Sequence, residues 1–377
     1  MKQLLTIFLS IFYSLHAIAQ WDLLGLSDVK ARCVASDETN LYVGTDFDGI
    51  FLSTDNGLTW NSINTGLSER VVRVIETNQG NIYAGTWNGL FLSDNNGSSW
   101  TPINNGLTNL DIRDIVALGS ILYVGTAGGG VFKSLNNGSS WTAINNGLKN
   151  LNALSLAINS QAIFAGTYIG IFMSSDGGST WNPPSGVNIQ TNSIKIFDSL
   201  VIAGTIDGFY KSENYGKTWI KSSNGITEDF VTTVTMAGDK MLSGTWGKSI
   251  FLSSDTGNTW TSHNSSFLGN FISDFVIHNR SIIVSTLYEG VWRYSGVSFP
   301  KPGINTSHLI GLFPNPTNNV LKFTQIPKSV EIMDSNGKTV KVYGQKNEIN
   351  VSGLAKGMYF IRIKINEKLI TKKVIIN

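Results

Sequence analysis

The sequence has a single cysteine among its 377 residues, and only four histidines. Cys33 has no second cysteine with which to form an internal disulfide, so we expect it to be buried as a small apolar side chain. The sequence contains no cysteine and histidine spacing typical of a metal site, no phosphate-binding loop and no Ser-His-Asp pattern. It therefore predicts no metal ion and no other cofactor.

Long apolar runs are also missing, except at the N-terminus. Lys2 is followed by a mostly apolar run over residues 4–18 and by the small residues Ala17-Ile18-Ala19. This pattern predicts a secretory signal peptide over residues 1–19, because the run is too short and wrongly flanked for a membrane-spanning helix. No later segment has the pattern of a transmembrane helix, so we expect a secreted chain with no transmembrane segment.

Charge is distributed unequally along the chain. Residues 20–300 contain 15 Lys and Arg against 22 Asp and Glu, whereas residues 301–377 contain 12 against 4. This difference predicts a mildly acidic larger domain and a basic smaller one. The acidic balance of the larger domain argues against nucleic acid as its partner.

One eight-residue phrase, which we call the octapeptide, occurs six times at intervals of 38 to 41 residues. A strand-like segment ending in Gly-Thr precedes each copy, and a seventh such segment ends at Thr286. Each unit contains four short strands, and helical periodicity is absent, which is typical of a β-propeller blade. The first copy reads STDNGLTW. The six copies occupy residues 53–60, 93–100, 134–141, 174–181, 212–219 and 253–260.

Seven units predict an all-β, seven-bladed propeller over residues 20–299. The seventh unit stops after residues 291–300 and lacks its outer strand. The segment from Trp21 resembles the strand that follows an octapeptide, so we expect this N-terminal strand to complete the seventh blade. Closing the ring in this way leaves no blade without an edge partner.

The octapeptide has the composition of a tight hairpin between the third and fourth strands of a blade. Its Ser and its Asp or Asn can accept hydrogen bonds from turn N–H groups, its Gly permits a positive φ, and its Trp can be buried between blades. We therefore interpret it as structural. The residues to which we assign this role are Ser53, Asp55, Gly57, Trp60, Trp100, Trp141, Asp176, Trp181, Trp219, Asp255 and Trp260.

The octapeptide pattern S-x-D/N-x-G-x-S/T-W resembles the Asp-box, or BNR, repeat. That repeat occurs in sialidases, sortilin-type receptors, xyloglucan-cleaving glycoside hydrolases and photosystem II assembly propellers. The resemblance covers about residues 21–299, and it implies that the box is a fold element away from any active site. It implies the fold rather than the function, because such folds have unrelated activities.

The loops that follow the Gly-Thr segments differ from blade to blade, so specific recognition is expected on that face. The four aromatic residues could stack on sugars, and the four carboxylates could bind sugar hydroxyls or a cation. The alternative is that all eight are ordinary loop residues. The residues are Trp87, Tyr168, Trp246 and Tyr288, and Asp46, Asp48, Asp207 and Glu289.

Three arginines form a second candidate group. Arg32, Arg73 and Arg113 each lie twelve residues before the glycine of a Gly-Thr segment, which predicts equivalent positions near the central channel. Clustered guanidinium groups could bind a carboxylate or another anion. The alternative is a structural role in which Asp114 and Asp274 neutralise them.

The function predicted from these residues is extracellular binding of a glycan or a surface protein, without catalysis. One alternative is a polysaccharide-cleaving glycoside hydrolase, which would need two carboxylates about 5–10 Å apart. The active-site arrangement of sialidases is not found, and xyloglucan-cleaving enzymes use two propellers where this chain has one. The other alternative is a structural surface-assembly protein.

Residues 300–311 have the composition of a linker, and residues 312–377 contain short alternating strands separated by turns such as Asn336-Gly337. We expect a small immunoglobulin-like β-sandwich there. This segment resembles the type A C-terminal sorting domain of the type IX secretion system of Bacteroidota; a generic binding sandwich is the alternative. The residues that carry the resemblance are Pro314, Asn315, Pro316, Leu321, Gly337, Lys338, Leu354, Gly357, Tyr359, Lys372 and Lys373.

The sorting-domain resemblance implies a route and a set of partners. The type IX machinery would export the chain from the periplasm across the outer membrane, and a sortase-like peptidase would then remove the domain. The cargo would be released or anchored at the cell surface. The propeller face would bind the glycan or the surface protein.

Overall fold

A computed structural model describes residues 21–37, 39–183, 186–247, 249–263, 271–294, 312–313, 319–323, 327–334, 337–365 and 368–376. The predicted signal peptide, the predicted linker and the Pro314-Asn315-Pro316 motif lie outside the described residues. The regular secondary structure of the described residues is entirely β-strand, which confirms the all-β prediction. In this part of the chain no helix is long and apolar enough to cross a membrane.

The described residues between 21 and 294 form seven antiparallel sheets, which we number in chain order. Sheet 1 contains β2 (Ala31–Ser36), β3 (Leu41–Thr45), β4 (Ile50–Ser53) and β5 (Asn61–Ser62), and sheet 2 contains β6 (Val72–Asn78), β7 (Asn81–Thr86), β8 (Gly89–Ser93) and β9 (Thr101–Pro102). Sheet 3 contains β10 (Ile112–Leu118), β11 (Ile121–Thr126), β12 (Gly130–Ser134) and β13 (Thr142–Ala143), and sheet 4 contains β14 (Ala153–Ile158), β15 (Ile163–Thr167) and β16 (Gly170–Ser174). Sheet 5 contains β17 (Thr191–Phe197), β18 (Leu200–Thr205), β19 (Gly208–Ser212) and β20 (Ile220–Lys221), and sheet 6 contains β21 (Val231–Ala237), β22 (Lys240–Thr245), β23 (Ile250–Ser253) and β24 (Thr261–Ser262). Sheet 7 contains β25 (Ile272–His278), β26 (Ser281–Thr286), β27 (Gly290–Tyr294) and the N-terminal strand β1 (Trp21–Gly25).

The first strands of the sheets contact one another in a cycle. Strand β2 contacts β6, and contacts continue through β10, β14, β17, β21 and β25, which contacts β2 again. In sheet 7, β1 pairs with β27, with Trp21 opposite Tyr294. The two ends of this part of the chain therefore meet in one sheet.

Apolar layers between neighbouring sheets form the core. Tyr42 and Ile50 of sheet 1, for example, pack with Val72 and Phe91 of sheet 2. The glycine of each Gly-Thr segment permits this close approach. A Cβ atom on Gly44 would lie 2.6 Å from the Val72 side chain of the next sheet, so a larger residue there would separate the two sheets.

Each octapeptide forms a hairpin after the third strand, and a fourth strand of only two residues follows in every sheet but sheet 4, where a single bridge joins Met173 and Asn182. In the first copy, the Ser53 Oγ accepts a hydrogen bond from the Gly57 N–H at 2.7 Å and donates one to Asp55 at 2.8 Å. Asp55 also accepts the Thr59 N–H and hydroxyl, at 2.9 and 2.6 Å. These bonds, led by that from the Thr59 hydroxyl, lower the pKa of Asp55 to about 2.

The tryptophan of an octapeptide connects neighbouring sheets. The Nε1 of Trp100 donates to the Ile63 carbonyl of sheet 1 at 2.6 Å, and that of Trp260 donates to the Ser222 carbonyl of sheet 5 at 2.7 Å. The corresponding bonds join Trp60 to Leu24, Trp141 to Ile103 and Trp181 to Ile144. Trp219 differs, because its Nε1 donates to Gly216 within its own hairpin.

Residues 312–376 form two further sheets. One contains β28 (Leu312–Phe313), β29 (Val320–Phe323) and β32 (Glu348–Asn350), and the other contains β31 (Thr339–Tyr343), β30 (Ser329–Met333), β33 (Gly357–Ile365) and β34 (Lys368–Ile376). Leu321 and Ile349 of the first sheet pack on Val330 and Ile361 of the second. Of the predicted sorting residues, Gly337 and Lys338 lie between β30 and β31, Gly357 and Tyr359 lie in β33, and Lys372 and Lys373 lie in β34.

Candidate ligand-binding site

A β-bulge lies near the start of the first strand in every one of the seven sheets. Pairing with the second strand shifts register there, and one residue is left opposite no partner. A bulge redirects the side chain of its extra residue. The seven bulge residues occupy the positions that the twelve-residue spacing predicts to be equivalent, and they are Arg32, Arg73, Arg113, Leu154, Asn192, Thr232 and Ser273.

The bulge residues line a cavity of about 310 Å³ at one end of the first strands. Tyr168 and Trp246 line the same cavity, so the structure brings the three arginines together with two of the four predicted aromatic residues. Phe230 and Phe271 also line it, and sequence reasoning missed both. They lie in the loops that enter β21 and β25, and their only sequence signal is an apolar residue just before the first strand.

The arginines are paired with carboxylates unequally. Arg32 forms a bidentate ion pair with Asp46, with 3.0 Å between Nη2 and Oδ2. Arg73 and Arg113 instead share one carboxylate, that of Asp111, at 3.1 and 2.8 Å. The three arginines and two aspartates therefore leave one positive charge in excess.

The group formed by Arg73, Arg113 and Asp111 also lacks some of its possible hydrogen bonds. The Nε of Arg113 is buried and has no hydrogen-bond partner among the described residues. Burial and then the nearby Arg113 lower the pKa of Arg73 from its usual value. Because an unpaired buried donor and two adjacent cations are both unfavourable, this part of the cavity is suited to an added anion.

Among the described residues, the arginines form their ion pairs with Asp46 and Asp111, and Asp114 and Asp274 have another role. Each occupies the position after the bulge and accepts a backbone N–H of the next sheet, from Leu156 at 2.7 Å and from Val34 at 3.3 Å. The bulge interrupts the backbone pairing at this point, and these carboxylates satisfy donors beside it. Asp111, the residue that pairs with two arginines, was missed, although it lies only two positions before Arg113.

Aromatic side chains form an exposed arc across sheets 6, 7 and 1. The Trp246 ring lies 5.5 Å from that of Phe230 and 4.5 Å from that of Phe271, and Phe271 lies 5.5 Å from Tyr288. The Lys30 Nζ lies 5.4 Å from the Tyr288 ring and 5.6 Å from the Phe47 ring. Sequence reasoning did not single out Lys30 or Phe47. About half of the surface of Trp246 and Tyr288 is exposed, so the arc can contact a ligand.

Trp87 lies apart from this arc, over the arginines. The Arg73 guanidinium carbon lies 5.6 Å from its ring centroid, and 56% of Trp87 is exposed. The structure therefore places this predicted aromatic residue beside the cationic part of the cavity.

The four predicted carboxylates do not line this cavity. Asp46 pairs with Arg32, and Asp207 accepts hydrogen bonds from Lys221 at 2.9 Å and from the Tyr210 hydroxyl at 3.0 Å. These two bonds lower the pKa of Asp207. Asp48 and Glu289 lie in the loops of sheets 1 and 7, and none of the four is among the residues that line the 310 Å³ cavity.

A second cavity of about 290 Å³ extends between the first strands. Glu76, Asp114, Asp274 and Lys195 line it. Burial raises the pKa of Glu76 to about 8 and that of Asp274 to about 6, and Lys195 partly opposes both shifts. Within the described residues, no group of His, Cys, Asp and Glu side chains is arranged to hold a metal ion.

Comparison with known families gives one match. Residues 311–377 match the family described as the secretion system C-terminal sorting domain. The protein is therefore exported through the type IX secretion system to the cell surface or beyond it. No curated protein matches the chain.

Several solved structures resemble the larger part of the chain. YCF48 bound to D1 peptide is 13% identical over 74% of this chain and 96% of its own, with a TM-score of 0.60. The WD40 β-propeller domain of Doa1 is also 13% identical, over 74% of this chain and 97% of its own, at 0.60. An extracellular domain of a one component system from B. thetaiotaomicron is 12% identical, with a TM-score of 0.60. The match covers 95% of this chain and 59% of that domain. At these identities the likeness shows a propeller-like fold alone.

Proposed function

We propose that this secreted protein binds an acidic segment of another polypeptide in the cavity lined by the seven bulge residues. One observation carries the proposal: Arg73 and Arg113 share the single carboxylate of Asp111, and the buried Nε of Arg113 has no partner among the described residues. The side chains of Arg73 and Arg113 are 15% and 26% exposed, so a ligand carboxylate can approach their guanidinium groups and supply the missing negative charge. Such charge-assisted bonds typically contribute about 1.5–3 kcal/mol each.

A polypeptide fits the rest of the cavity better than a glycan does. The Gln, Asn, Thr and Ser side chains that line it all have partners already: Gln190 donates to Asn192, Asn192 to Val231, Thr232 to Ile272 and Ser273 to Ala31. The aromatic rings contact one another at tilted angles instead of lying flat for a sugar. Apolar side chains of a peptide suit such a surface, and the similar propeller YCF48 has been solved with a peptide.

Glycan binding and catalysis are the competing functions. A glycoside hydrolase would place two carboxylates in the cavity, whereas no Asp or Glu is among the described residues that line it, and Asp46 and Asp111 beside it are paired with arginines. A purely structural surface-assembly role would leave the half-exposed Trp246 and Tyr288 without a purpose. These observations favour binding without catalysis.

The proposed function includes a closed ring. We infer that the seven sheets are the blades of one seven-bladed propeller of the Asp-box, or BNR, type, closed by β1, and the cyclic contacts of the first strands support this. We infer an immunoglobulin-like sandwich for residues 312–376 from their two packed sheets. A sortase-like peptidase would remove it after export.

The test is a binding assay on the full secreted protein with two probes, an array of 12-residue peptides rich in Asp, Glu and aromatic residues, and an array of acidic and neutral glycans. We expect acidic peptides to bind, and Arg113→Gln to weaken that binding about tenfold or more through loss of a charge-assisted bond. Lys221→Gln is the matched control, because this lysine pairs with Asp207 outside the cavity. Binding of glycans alone, or equal peptide binding by Arg113→Gln and wild type, would overturn the proposal.

A further inference from the structure

In one of the seven sheets, the described loop near the ligand cavity carries no exposed large apolar side chain. The residue after each Gly-Thr segment occupies the same place in its sheet, and six of the seven loops there carry an exposed large apolar side chain, from 39% exposure at Ile206 to 66% at Phe47. The loop of sheet 3, Ala127-Gly128-Gly129, carries none. The seven equivalent residues are Asp46, Trp87, Ala127, Tyr168, Ile206, Trp246 and Leu287.

This loop of sheet 3 adjoins the arginine pair. The Ala127 N–H donates to the Asp111 carbonyl at 3.0 Å, and the Asp111 carboxylate holds Arg73 and Arg113. The Leu151 carbonyl accepts the N–H groups of Gly128 and Gly130, at 2.9 and 2.8 Å. Leu151, which is 40% exposed, therefore lies beside this loop. We call Ala127, Gly128, Gly129 and Leu151 the slot.

The backbone conformation and close neighbours disfavour any side chain at Gly128 and Gly129. Gly128 has a φ of +102°, which disfavours any residue with a Cβ atom. A Cβ atom on Gly129 would lie 2.6 Å from the Asn109 Cβ and 2.7 Å from the Thr126 Oγ1. The same loop could therefore not acquire larger residues at these positions without moving.

The backbone N–H groups of the slot are already hydrogen-bonded. The N–H of Gly129 donates to the Thr126 Oγ1 at 3.1 Å, and the Ala127 carbonyl accepts from the Asn109 Nδ2 at 2.9 Å. With the Ala127 and Gly128 N–H groups also bonded, the slot offers a ligand the apolar Leu151 side chain instead of backbone donors. Trp87 and Tyr168 lie in the equivalent loops of the two neighbouring sheets, sheet 2 and sheet 4.

We propose that the bound polypeptide places its acidic residue on Arg73 and Arg113 and leaves the cavity over sheet 3, through the slot. This inference rests on the proposed function and adds the path of the chain. Sheet 3 is the only one of the seven sheets at which the described loop after Gly-Thr has no exposed large apolar side chain, and it is the sheet that carries Arg113. A long ligand can therefore keep its acidic residue on the arginines without passing over a bulky side chain.

The test is to fill the slot with Ala127→Trp in the full secreted protein. Tryptophan already occupies this position in sheets 2 and 6, so the backbone conformation there can carry it. The probes are the best-binding acidic 12-residue peptide of the array and a three-residue peptide with the same acidic residue and one neighbour on each side. We expect Ala127→Trp to weaken binding of the longer peptide about tenfold or more and to change binding of the short one less than about threefold. Ile206→Trp, which places the same tryptophan side chain at the equivalent position of sheet 5, is the matched control and should bind both peptides as wild type does.

The outcomes separate the path from the function. Equal loss of the long and the short peptide in Ala127→Trp, or unchanged binding of both, would overturn the path and leave the function standing. The same would follow if Ile206→Trp weakened the long peptide as much as Ala127→Trp. Failure of wild type to bind any acidic peptide would overturn the proposed function and the path with it.

Discussion

The buried serine that opens each octapeptide holds its hairpin together through hydrogen bonds in two directions. The Ser53 Oγ is fully buried, accepts the Gly57 N–H and donates to Asp55. The same two bonds recur at Ser253, with Gly257 and Asp255. Where asparagine replaces the aspartate, as at Asn95, it still accepts the serine hydroxyl and a backbone N–H. The repetition is therefore explained by turn geometry alone.

Ser53→Ala should destabilise the protein through this loss of bonds. The Gly57 N–H would remain buried without its acceptor, which typically costs about 1–3 kcal/mol. Urea denaturation should show a lower midpoint with an unchanged slope. Thr54→Ala is the matched control, because Thr54 is exposed and adjacent, and it should change the free energy of unfolding by less than about 0.5 kcal/mol. Equal midpoints for Ser53→Ala and wild type would contradict this account.

At the scale of the element, the first strands of sheets 3, 5, 6 and 7 have two adjacent polar residues at the bulge, and the two positions have different roles. The bulge residue, such as Arg113, points to the ligand cavity, and the next residue, such as Asp114, binds a backbone N–H of the following sheet. Ser155 and Ser193 make the same bond, to Ile194 at 3.0 Å and to Val234 at 3.2 Å. One strand therefore joins its neighbour and lines the site at once.

The repeat made part of this predictable. Arg32, Arg73 and Arg113 each lie twelve residues before the glycine of a Gly-Thr segment. This common spacing predicts equivalent positions in their first strands. Their partners were not predictable in the same way. Asp111 lies in a connecting loop, and Phe271 is brought to Trp246 by packing between sheets 6 and 7, which leaves no periodic signal in the sequence. The bulge itself is a backbone feature without a residue signature.

The carboxylates between the first strands predict a pH dependence of stability. Burial raises the pKa of Glu76 from 4.5 to about 8, so the folded protein binds a proton that the unfolded chain has released. The free energy of unfolding should therefore fall as pH rises from about 4.5 to 8. Glu76→Gln stays neutral and should be more stable than wild type at pH 8, by on the order of 1–3 kcal/mol, and similar to it at pH 4.5. Urea midpoints at both pH values measure the difference.

The groups around Glu76 set the control for this measurement. Asp114, Asp274 and Lys195 line the same cavity, and the first two carry raised pKa values that act in the same direction. Glu76→Gln should therefore reduce the pH dependence without abolishing it. Asp239→Asn, at an exposed position in the turn between β21 and β22, should leave the wild-type profile unchanged. A wild-type protein whose stability rises between pH 5 and 8 would contradict the assignment.

At the scale of the whole molecule, the sequence predicts a repeat region followed by a sorting region. The repeat period is visible because each unit carries the same turn chemistry, and residues 311–377 carry a family match of their own. The ligand is not visible at this scale. Folds of this kind serve unrelated functions, so the argument for binding rests on the side chains of the cavity and not on the architecture.

The proposed ring closure gives the last prediction, because the pairing of β1 with β27 joins the two ends of the repeat region. Trp21 is 5% exposed, its Nε1 donates to the His263 carbonyl at 2.8 Å, and its ring lies 4.9 Å from that of Tyr294. Trp21→Ala should lower the free energy of unfolding by about 3–5 kcal/mol, the usual cost of deleting a buried tryptophan side chain. It should also promote aggregation, because a loosened β1 exposes the edge of β27. Leu23→Ala, on the same strand but 47% exposed, is the control and should change the unfolding midpoint little. If Trp21→Ala unfolded and aggregated as Leu23→Ala does, β1 would pair without stabilising the ring, and closure would depend on contacts between the first strands instead.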